Sequence, residues 1–205
     1  MNFEKACSRR NFFSTLARQA GEFAVGLVDG AAQASRAFQA EAAPVPAAPP
    51  VAWVRPPGAL PEADFLSACT RCDDCIKACP HLVIRKAGIE VGKDVATTPI
   101  IVPGDNSCRF CDGFPCIQAC ASGALRLPNS DIKIRIGTAV VREPACYSVQ
   151  KQPCDYCQTY CPETEKAIRV SGPGSAPAVN AQLCTGCGQC AEICPTGCIT
   201  VVRLS

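Results

Sequence analysis

Cysteine is the residue type in this 205-residue chain that is best suited to bind metal or to react, and the chain contains 18 cysteines. Sixteen fall into four sets of four, and the sets open 38 or 39 residues apart. Such a period indicates one structural unit used several times. The four sets are Cys69, Cys72, Cys75 and Cys79; Cys108, Cys111, Cys116 and Cys120; Cys146, Cys154, Cys157 and Cys161; and Cys184, Cys187, Cys190 and Cys194.

The spacing within the sets is that of ligands to cubane iron–sulfur clusters. Three cysteines at intervals of three residues can bind three irons of one [4Fe–4S] cluster, and a fourth, ahead of proline, serves the neighbouring cluster. Proline follows the last cysteine in three sets, at Pro80, Pro162 and Pro195. Zinc prefers two Cys-x-x-Cys pairs far apart, and disulfides do not readily join cysteines so close along the chain. We therefore predict that the sixteen cysteines bind four [4Fe–4S] clusters.

Two sets depart from the regular spacing. The residues "DGFP" separate Cys111 from Cys116, and "YSVQKQP" separates Cys146 from Cys154. Cys146 is the economical fourth ligand of its set because no other cysteine lies nearby in the sequence. Cys198 is left over, and we expect it to be a small buried apolar residue.

Short β-prone segments broken by Gly, Pro and Asn surround the cysteine sets and predict small antiparallel ribbons. Single helical turns are expected at "IKA", "IQA" and "AEI", before the last cysteine of three sets. The predicted fold class is α+β, a ferredoxin-like polyferredoxin with two pseudo-repeated lobes that each bind two clusters. The lobes can pair the sets in sequence or in a nested order, first with fourth and second with third. The predicted strand segments are 81–85, 97–102, 122–127, 137–141, 166–170, 176–179 and 197–202.

The rest of the composition excludes several function classes. Twenty Lys and Arg against 18 Asp and Glu give a net charge of +2, so no nucleic-acid or anionic-membrane partner is expected. No transmembrane helix is predicted, because the sequence has no uninterrupted apolar run of 18 residues. Aromatic residues make up only 6% of the chain. Metal ligation must then supply much of the folding free energy, and we expect the iron-free chain to lack a fixed structure.

Nothing in the sequence predicts catalysis on a substrate. The one histidine, His81, follows Pro80 and is expected near a cluster or at the surface. We find no phosphate loop, flavin or nicotinamide fingerprint and no serine nucleophile motif. The prediction is an electron carrier rather than an enzyme.

Residues 1–42 carry a targeting pattern. Arg9 and Arg10, followed by Phe12 and Phe13, resemble a twin-arginine export signal, and "AEA" at 40–42 is a suitable cleavage site. This export route carries proteins already folded around their cofactors, which suits a protein whose thiolates must stay bound to iron. Cys7 lies in this segment and is expected to be incidental, lipidation being the alternative.

The same segment permits a second interpretation, a retained amphipathic docking helix. Its apolar face would comprise Phe12, Leu16, Phe23 and Leu27. Residues 43–63 are rich in proline and are predicted to form an extended linker. Residues 64–205 are then the four-cluster domain.

Four stretches resemble the MauM/NapG family of ferredoxin-type proteins, with NapF as a more distant relative. They are "RPPGAL" at 55–60, "FLSACTRCDDCIKACP" at 65–80, "CDGFPCIQACASGAL" at 111–125 and "CYSVQKQPCDYC" at 146–157. NapF-type proteins lack an export signal and have a regular second set, so the signal and the "FP" insertion favour MauM/NapG. Larger four-cluster subunits of respiratory oxidoreductases share a similar second set and use nested pairing, so the resemblance favours the nested order here.

The resemblance implies electron transfer beside a membrane, in the periplasm. The implied partners are a membrane-bound quinol-oxidising iron–sulfur protein and a periplasmic redox enzyme or cytochrome, of a nitrate reductase or methylamine dehydrogenase system. Two alternatives stay open: a cytoplasmic maturation factor for a metalloenzyme, and a fixed electron-transfer subunit of a respiratory complex.

Charge close to the cysteines predicts a difference between the clusters. Asp73 and Asp74 lie in the first loop, where the fourth loop has Gly188 and Gln189. Negative charge beside a cluster disfavours its reduction, so the cluster at Cys69, Cys72 and Cys75 should be harder to reduce than that at Cys184, Cys187 and Cys190. The alternative is that both aspartates face water and matter little. Gly186 and Gly188 are expected to let the fourth loop approach the sulfurs closely.

Overall fold

A computed structural model describes residues 52–128 and 133–204. The export pattern, the alternative docking helix, the cleavage site and Cys7 all lie outside the described residues. Within the described residues, no helix has both the length and the apolar character needed to cross a bilayer.

The first half, residues 52–128, contains the first and second cysteine sets. Between these sets a short antiparallel hairpin pairs Ile84 with Ile101 and Lys86 with Pro99. Two isolated antiparallel bridges also occur in this half: Val54 pairs with Ile101 at the end of the hairpin, and Ala59 pairs with Leu125 away from it. The elements of this half are α1 (Glu62–Ala68), α2 (Asp74–Lys77), β1 (Ile84–Lys86), a 3-10 turn (Ile89–Val91), β2 (Pro99–Ile101) and α3 (Pro115–Gln118).

The second half, residues 133–204, repeats this plan around the third and fourth sets. A hairpin between the sets pairs Ile168 with Val179, and the flanking strands pair from Gly137 opposite Arg203 to Val141 opposite Ile199. The elements are β3 (Gly137–Val141), a 3-10 turn (Glu143–Ala145), α4 (Tyr156–Thr159), β4 (Ile168–Arg169), β5 (Ala178–Val179), α5 (Gln189–Glu192) and β6 (Ile199–Arg203).

The predicted short helices and small antiparallel ribbons are confirmed. One predicted strand, 122–127, is not formed, and only Leu125 makes a bridge there. The segment that lies opposite it contains Pro56 and Pro57, which have no backbone N–H to donate to a ladder. In the second half the corresponding strand β6 has a regular partner, β3, and pairs along five residues.

The cysteine-bearing domain begins before the predicted boundary at residue 64. The guanidinium of Arg55 is buried, forms a 2.6 Å ion pair with Glu62 and stacks 4.3 Å from the ring centre of Phe65. Residues 52–63 therefore belong to the domain, which differs from the predicted linker at 43–63. Proline favours extended backbone, but here that backbone packs against the core.

The core is thin and is built largely around cysteine side chains. Phe65 is its only fully buried aromatic side chain in the part of the chain that the structure describes. Short aliphatic residues such as Val54, Ile84, Ile168 and Val201 complete it, together with buried cysteines from all four sets. A core of this kind encloses cysteine thiols on several sides, and the positions of these thiols define the candidate sites.

Candidate cofactor sites

The structure gathers the sixteen predicted cysteines into four groups of four thiols. Each group takes three thiols from one set and the fourth from the neighbouring set. Group I is Cys69, Cys72, Cys75 and Cys120; group II is Cys79, Cys108, Cys111 and Cys116; group III is Cys146, Cys154, Cys157 and Cys194; and group IV is Cys161, Cys184, Cys187 and Cys190.

This arrangement pairs the sets in sequence, and the nested order favoured by the resemblance is wrong. The hairpin β1–β2 links the first set to the second, and β4–β5 links the third to the fourth. Helix α2 consequently packs against α3, and α4 packs against α5. Each hairpin returns the chain so that the last cysteine of one set reaches the group formed by the other.

Single-turn helices position the third cysteine of each set. The residue before the helix adopts a left-handed conformation at Asp73 (φ 68°), Phe114 (φ 49°) and Gly188 (φ 89°). The "DGFP" insertion is accommodated at this point, since Pro115 is the first residue of α3, a position that tolerates the missing N–H. The second helical residue is Cys116, as it is Cys75 in α2.

The seven-residue gap of the third set folds as a compact turn. The amide of Gln150 donates to the carbonyl of Cys146, and that of Gln152 donates to the carbonyl of Tyr147 at 2.9 Å. The buried hydroxyl of Ser148 donates to the carbonyl of Gly172 at 3.0 Å and fixes the turn to the following loop. This turn brings Cys146 and Cys154 into one group, although they are far apart for a cysteine set.

Groups I and II line neighbouring cavities of about 310 and 340 Å³. Phe65 and Leu125 border the group I cavity, where the amide of Leu125 donates to the Sγ atom of Cys120 at 3.3 Å. Phe114 and Ile101 border the group II cavity. Both cavities are therefore walled mainly by apolar side chains and cysteine sulfurs.

Group III lines a cavity of about 330 Å³ that has a fifth thiol in its wall. The Sγ atom of Cys198 lies 3.5 Å from that of Cys194, and the hydroxyl of Thr196 also lies 3.5 Å from Cys194. Burial acts to raise the pKa of Cys194, but these hydrogen bonds leave that pKa below its usual value. Cys198 is buried as predicted, but its contact with a group member was not expected from the sequence.

All four members of group IV are buried. The amide of Ala139 in β3 reaches the Sγ atom of Cys184 at 3.5 Å. Burial raises the pKa of Cys187, against hydrogen bonds from the amide of Gln189 and the hydroxyl of Thr185. Group IV thus has polar donors around sulfurs that are otherwise removed from water.

Burial and neighbouring thiols raise the pKa of several of the grouped cysteines. Burial, followed by the neighbouring Cys120 and Cys69, raises the pKa of Cys75 to about 12. Burial likewise raises the pKa of Cys116 and of Cys157 to about 11. Binding of iron must therefore release protons, as ligation by thiolates does in general.

Three contacts between neighbouring groups place the four groups in one row. Cys116 of group II lies near enough to Cys75 of group I to raise its pKa. The amide of Cys108 donates to the carbonyl of Cys187 at 2.9 Å and joins group II to group IV. The remaining contact is between groups IV and III, where Cys157 raises the pKa of Cys190 after burial and the nearer thiols. The order in space is I, II, IV, III.

The two glycines of the fourth loop make close backbone contacts that the sequence did not predict. A Cβ atom at Gly186 (φ 75°) would collide with the backbone of Gly137, and one at Gly188 would collide with the ring of Pro103. Pro103 belongs to the first half of the chain. Gly188 therefore permits the close approach of the two halves next to group IV.

The acidic residues of the first loop are paired with lysines. Asp73, which borders the group I cavity, lies 2.7 Å from the ammonium group of Lys86, and Asp74 lies 3.5 Å from that of Lys77. That Asp73 and Asp74 lower the reduction potential of the group I cluster stays a prediction. His81 is exposed at the edge of the group II cavity.

The donor set of each group fits a [4Fe–4S] cluster. Such a cluster takes four cysteine thiolates, and each group offers four cysteines around an apolar pocket or within the buried core. All cysteines in the described ranges are free of disulfides. Burying four thiols close together also costs free energy, and binding of iron would offset this cost.

Comparison with known proteins agrees with these features. A family model described as a 4Fe-4S binding domain matches residues 177–200, which include the fourth set. The chain is 36% identical over 198 residues to the ferredoxin-type protein NapG of Escherichia coli (strain K12), covering 91% of this chain and 80% of that protein. It is 39% identical over 154 residues to the methylamine utilization ferredoxin-type protein MauM of Methylorubrum extorquens, covering 70% and 69%. It is 33% identical over 155 residues to the ferredoxin-type protein NapF of Escherichia coli (strain K12), covering 74% and 85%.

Proposed function

Because this chain belongs to the NapG/MauM family of ferredoxin-type proteins, we propose that it transfers electrons through four [4Fe–4S] clusters, one in each of groups I to IV. The observation that carries the proposal is the sorting of sixteen cysteines into four complete sets of four donors. A bound [4Fe–4S] cluster takes up and releases an electron at a potential set by nearby charge, hydrogen bonds to its sulfurs and exposure to solvent.

The residues around each group supply the ligands, the hydrogen bonds to sulfur and the shielding from solvent that set the potential of a cluster. The sixteen cysteines act as thiolate ligands after losing their protons. Phe65, Leu125 and Phe114 limit the access of water to groups I and II. Backbone amides of Leu125 and Ala139 donate to ligand sulfurs in groups I and IV. No side chain is assigned to acid–base or nucleophilic work, and the protein is a carrier without a substrate site of its own.

The contacts between groups support a single unbranched row in which groups I and III are the ends. Cys72 of group I is the one exposed member of the sixteen. Tyr147 and Tyr156, both exposed, border the cavity of group III. Partner proteins would then reach the row at two separate ends, one at each of these groups.

The family relationship supports a proposal for the partners. Electrons would enter from a membrane-bound quinol-oxidising iron–sulfur protein and leave towards a periplasmic redox enzyme or cytochrome, of a nitrate reductase or methylamine dehydrogenase system. The protein would act in the periplasm after twin-arginine export and associate with the membrane through its partner.

Anaerobic purification of the full chain with iron and sulfide analysis tests the cluster count. We expect about sixteen irons and about sixteen acid-labile sulfides per chain. The matched control is a pair of variants: Cys75→Ser should lower the iron content, whereas Cys7→Ser should leave it unchanged. A colourless, sulfide-free and still well-folded protein would overturn the proposal.

Cell fractionation tests the location. Recovery of the iron-loaded protein in the periplasm, abolished by Arg9→Lys with Arg10→Lys, is the expected result. Recovery only in the cytoplasm would instead support the maturation factor. Co-purification with a respiratory complex in fixed stoichiometry would support a permanent subunit.

A further inference from the structure

Group III has one more thiol than four-cysteine ligation requires. Cys198 is 1% exposed, lies in the wall of the group III cavity and has its Sγ atom 3.5 Å from that of Cys194. Cys146, Cys154, Cys157 and Cys194 already complete the group. The function proposed above therefore leaves this buried thiol, in contact with a ligand sulfur, without a role.

The chain contains its own comparison for this position. The segments "CASGAL" at 120–125 and "CPTGCI" at 194–199 close the second and fourth sets, and both lend their first cysteine to a neighbouring group. In both, a hydroxyl two residues later lies near the ligand sulfur, 3.6 Å away for Ser122 and 3.5 Å away for Thr196. In both, the next residue is a glycine with positive φ.

The two segments differ at the residue after that glycine. Ala124 and Cys198 are each 1% exposed, and each borders the cavity of its group. The neighbouring residue is a buried Leu125 in one case and a buried Ile199 in the other. Groups I and III therefore share the glycine turn and the hydroxyl near the ligand sulfur, and of the two only group III has an additional sulfur at this position.

We propose that Cys198 is a positioning residue that donates an S–H···S hydrogen bond to the Cys194 thiolate and raises the reduction potential of the group III cluster. The inference rests on the function proposed above. The direction of the bond follows from ligation, because a cysteine bound to iron has no proton and can only accept. Reduction adds one electron and places more negative charge on the cluster sulfurs, so a donor there stabilises the reduced form. No proton has to move in this step.

Reciprocal variants of the anaerobically loaded full chain test the proposal by redox titration followed by electron paramagnetic resonance. Cys198→Ala gives group III the side chain that group I has at this position, and one potential should become more negative while iron and sulfide contents stay at the wild-type level. Cys198→Ser keeps a donor and should shift that potential less. Ala124→Cys adds a thiol beside Cys120 and should make a different potential more positive.

The outcomes separate this inference from the proposed function. Wild-type protein without labile sulfide would overturn both. A loaded wild type with unchanged potentials in Cys198→Ala would overturn only the role of Cys198. Loss of about a quarter of the iron in both Cys198→Ala and Cys198→Ser would make Cys198 a ligand and overturn its role as a donor. If Cys198→Ala fails to fold, unchanged potentials in Ala124→Cys decide against the inference, and the positive shift decides for it.

Discussion

The carboxylate of Glu192 accepts a hydrogen bond from the backbone amide of Ser107 at 3.1 Å, and a second one from the Ser107 hydroxyl. Glu192 ends helix α5 in the second half of the chain, and Ser107 directly precedes Cys108 in the first half. Arg109 adds an ion pair to the same carboxylate at 3.2 Å. One acidic side chain thus holds the start of the second cysteine set against the helix that positions the fourth.

Removal of this carboxylate should weaken the joint between the halves. Glu192→Ala leaves the amide and hydroxyl of the fully buried Ser107 without a partner, and a cost of about 1–3 kcal/mol in the free energy of unfolding is expected. Denaturant titration of the loaded protein, followed by visible absorbance, measures it.

Two controls identify the interaction that matters. Glu192→Gln keeps an acceptor for Ser107 and should cost less than Glu192→Ala. Arg109→Ala removes a partly exposed ion pair, for which about 0–1 kcal/mol is expected. Equal stability of Glu192→Ala and the wild type would contradict the assignment.

Gly188→Ala should disturb the contact between the halves, because the added methyl group collides with Pro103. Gly174 is a matched control: its φ of 91° is close to the 89° of Gly188, and a methyl group there makes only an ordinary contact with Lys151. Both variants place an alanine at nearly the same positive φ. Overpacking should cost Gly188→Ala about 1–3 kcal/mol more in the free energy of unfolding. Similar denaturation midpoints for the two variants would argue against a close contact at Pro103.

Single Cys→Ser variants distinguish sequential from nested pairing. Cys120→Ser and Cys75→Ser should alter the same cluster signal in electron paramagnetic resonance spectra, because both remove a thiol of group I. Cys79→Ser should instead match Cys116→Ser. If Cys120→Ser altered the signal that Cys154→Ser alters, the second and third sets would share a cluster and the grouping in the structure would be incorrect.

The double variant Asp73→Gly, Asp74→Gln gives the first loop the residues of the fourth. The loss of two negative charges near group I should raise the potential of that cluster, since its reduction becomes less opposed. Glycine also suits the left-handed backbone at position 73. Removal of the positive charge beside Asp73, in Lys86→Ala, should shift the same potential downwards. The absence of an upward shift in the double variant would show that the paired lysines already neutralise the carboxylates.

Local patterns in the sequence predicted the local structure well. The cysteine spacing marks the loops, and β-prone segments such as 97–102 and 137–141 become strands, because these features depend on residues near one another in the chain. Pairing between the sets depends on how the hairpins β1–β2 and β4–β5 fold back. Cysteine spacing is the same in the sequential and nested arrangements, so a resemblance decided the prediction and decided it wrongly.

Tertiary contacts also explain the other differences. The proline-rich segment looked like a linker because its composition carries no sign of the Arg55–Glu62 ion pair that ties it to α1. Gly188 was assigned to the sulfurs, since nothing in the sequence places Pro103 beside it. The contact of Cys198 could have been suspected, because alignment of "CASGAL" with "CPTGCI" exposes the exchange of alanine for cysteine.

The crossing of the last cysteine between neighbouring sets makes each pair of sets mutually dependent. Damage to the second set removes Cys120 from group I, and damage to the first removes Cys79 from group II. A defect in one loop therefore also removes a ligand from the neighbouring group. The proteins that insert clusters would therefore have to assemble them in pairs. If oxygen or a chelator removes one cluster, its neighbour is left beside a free thiol. Electron transfer should then be lost two clusters at a time.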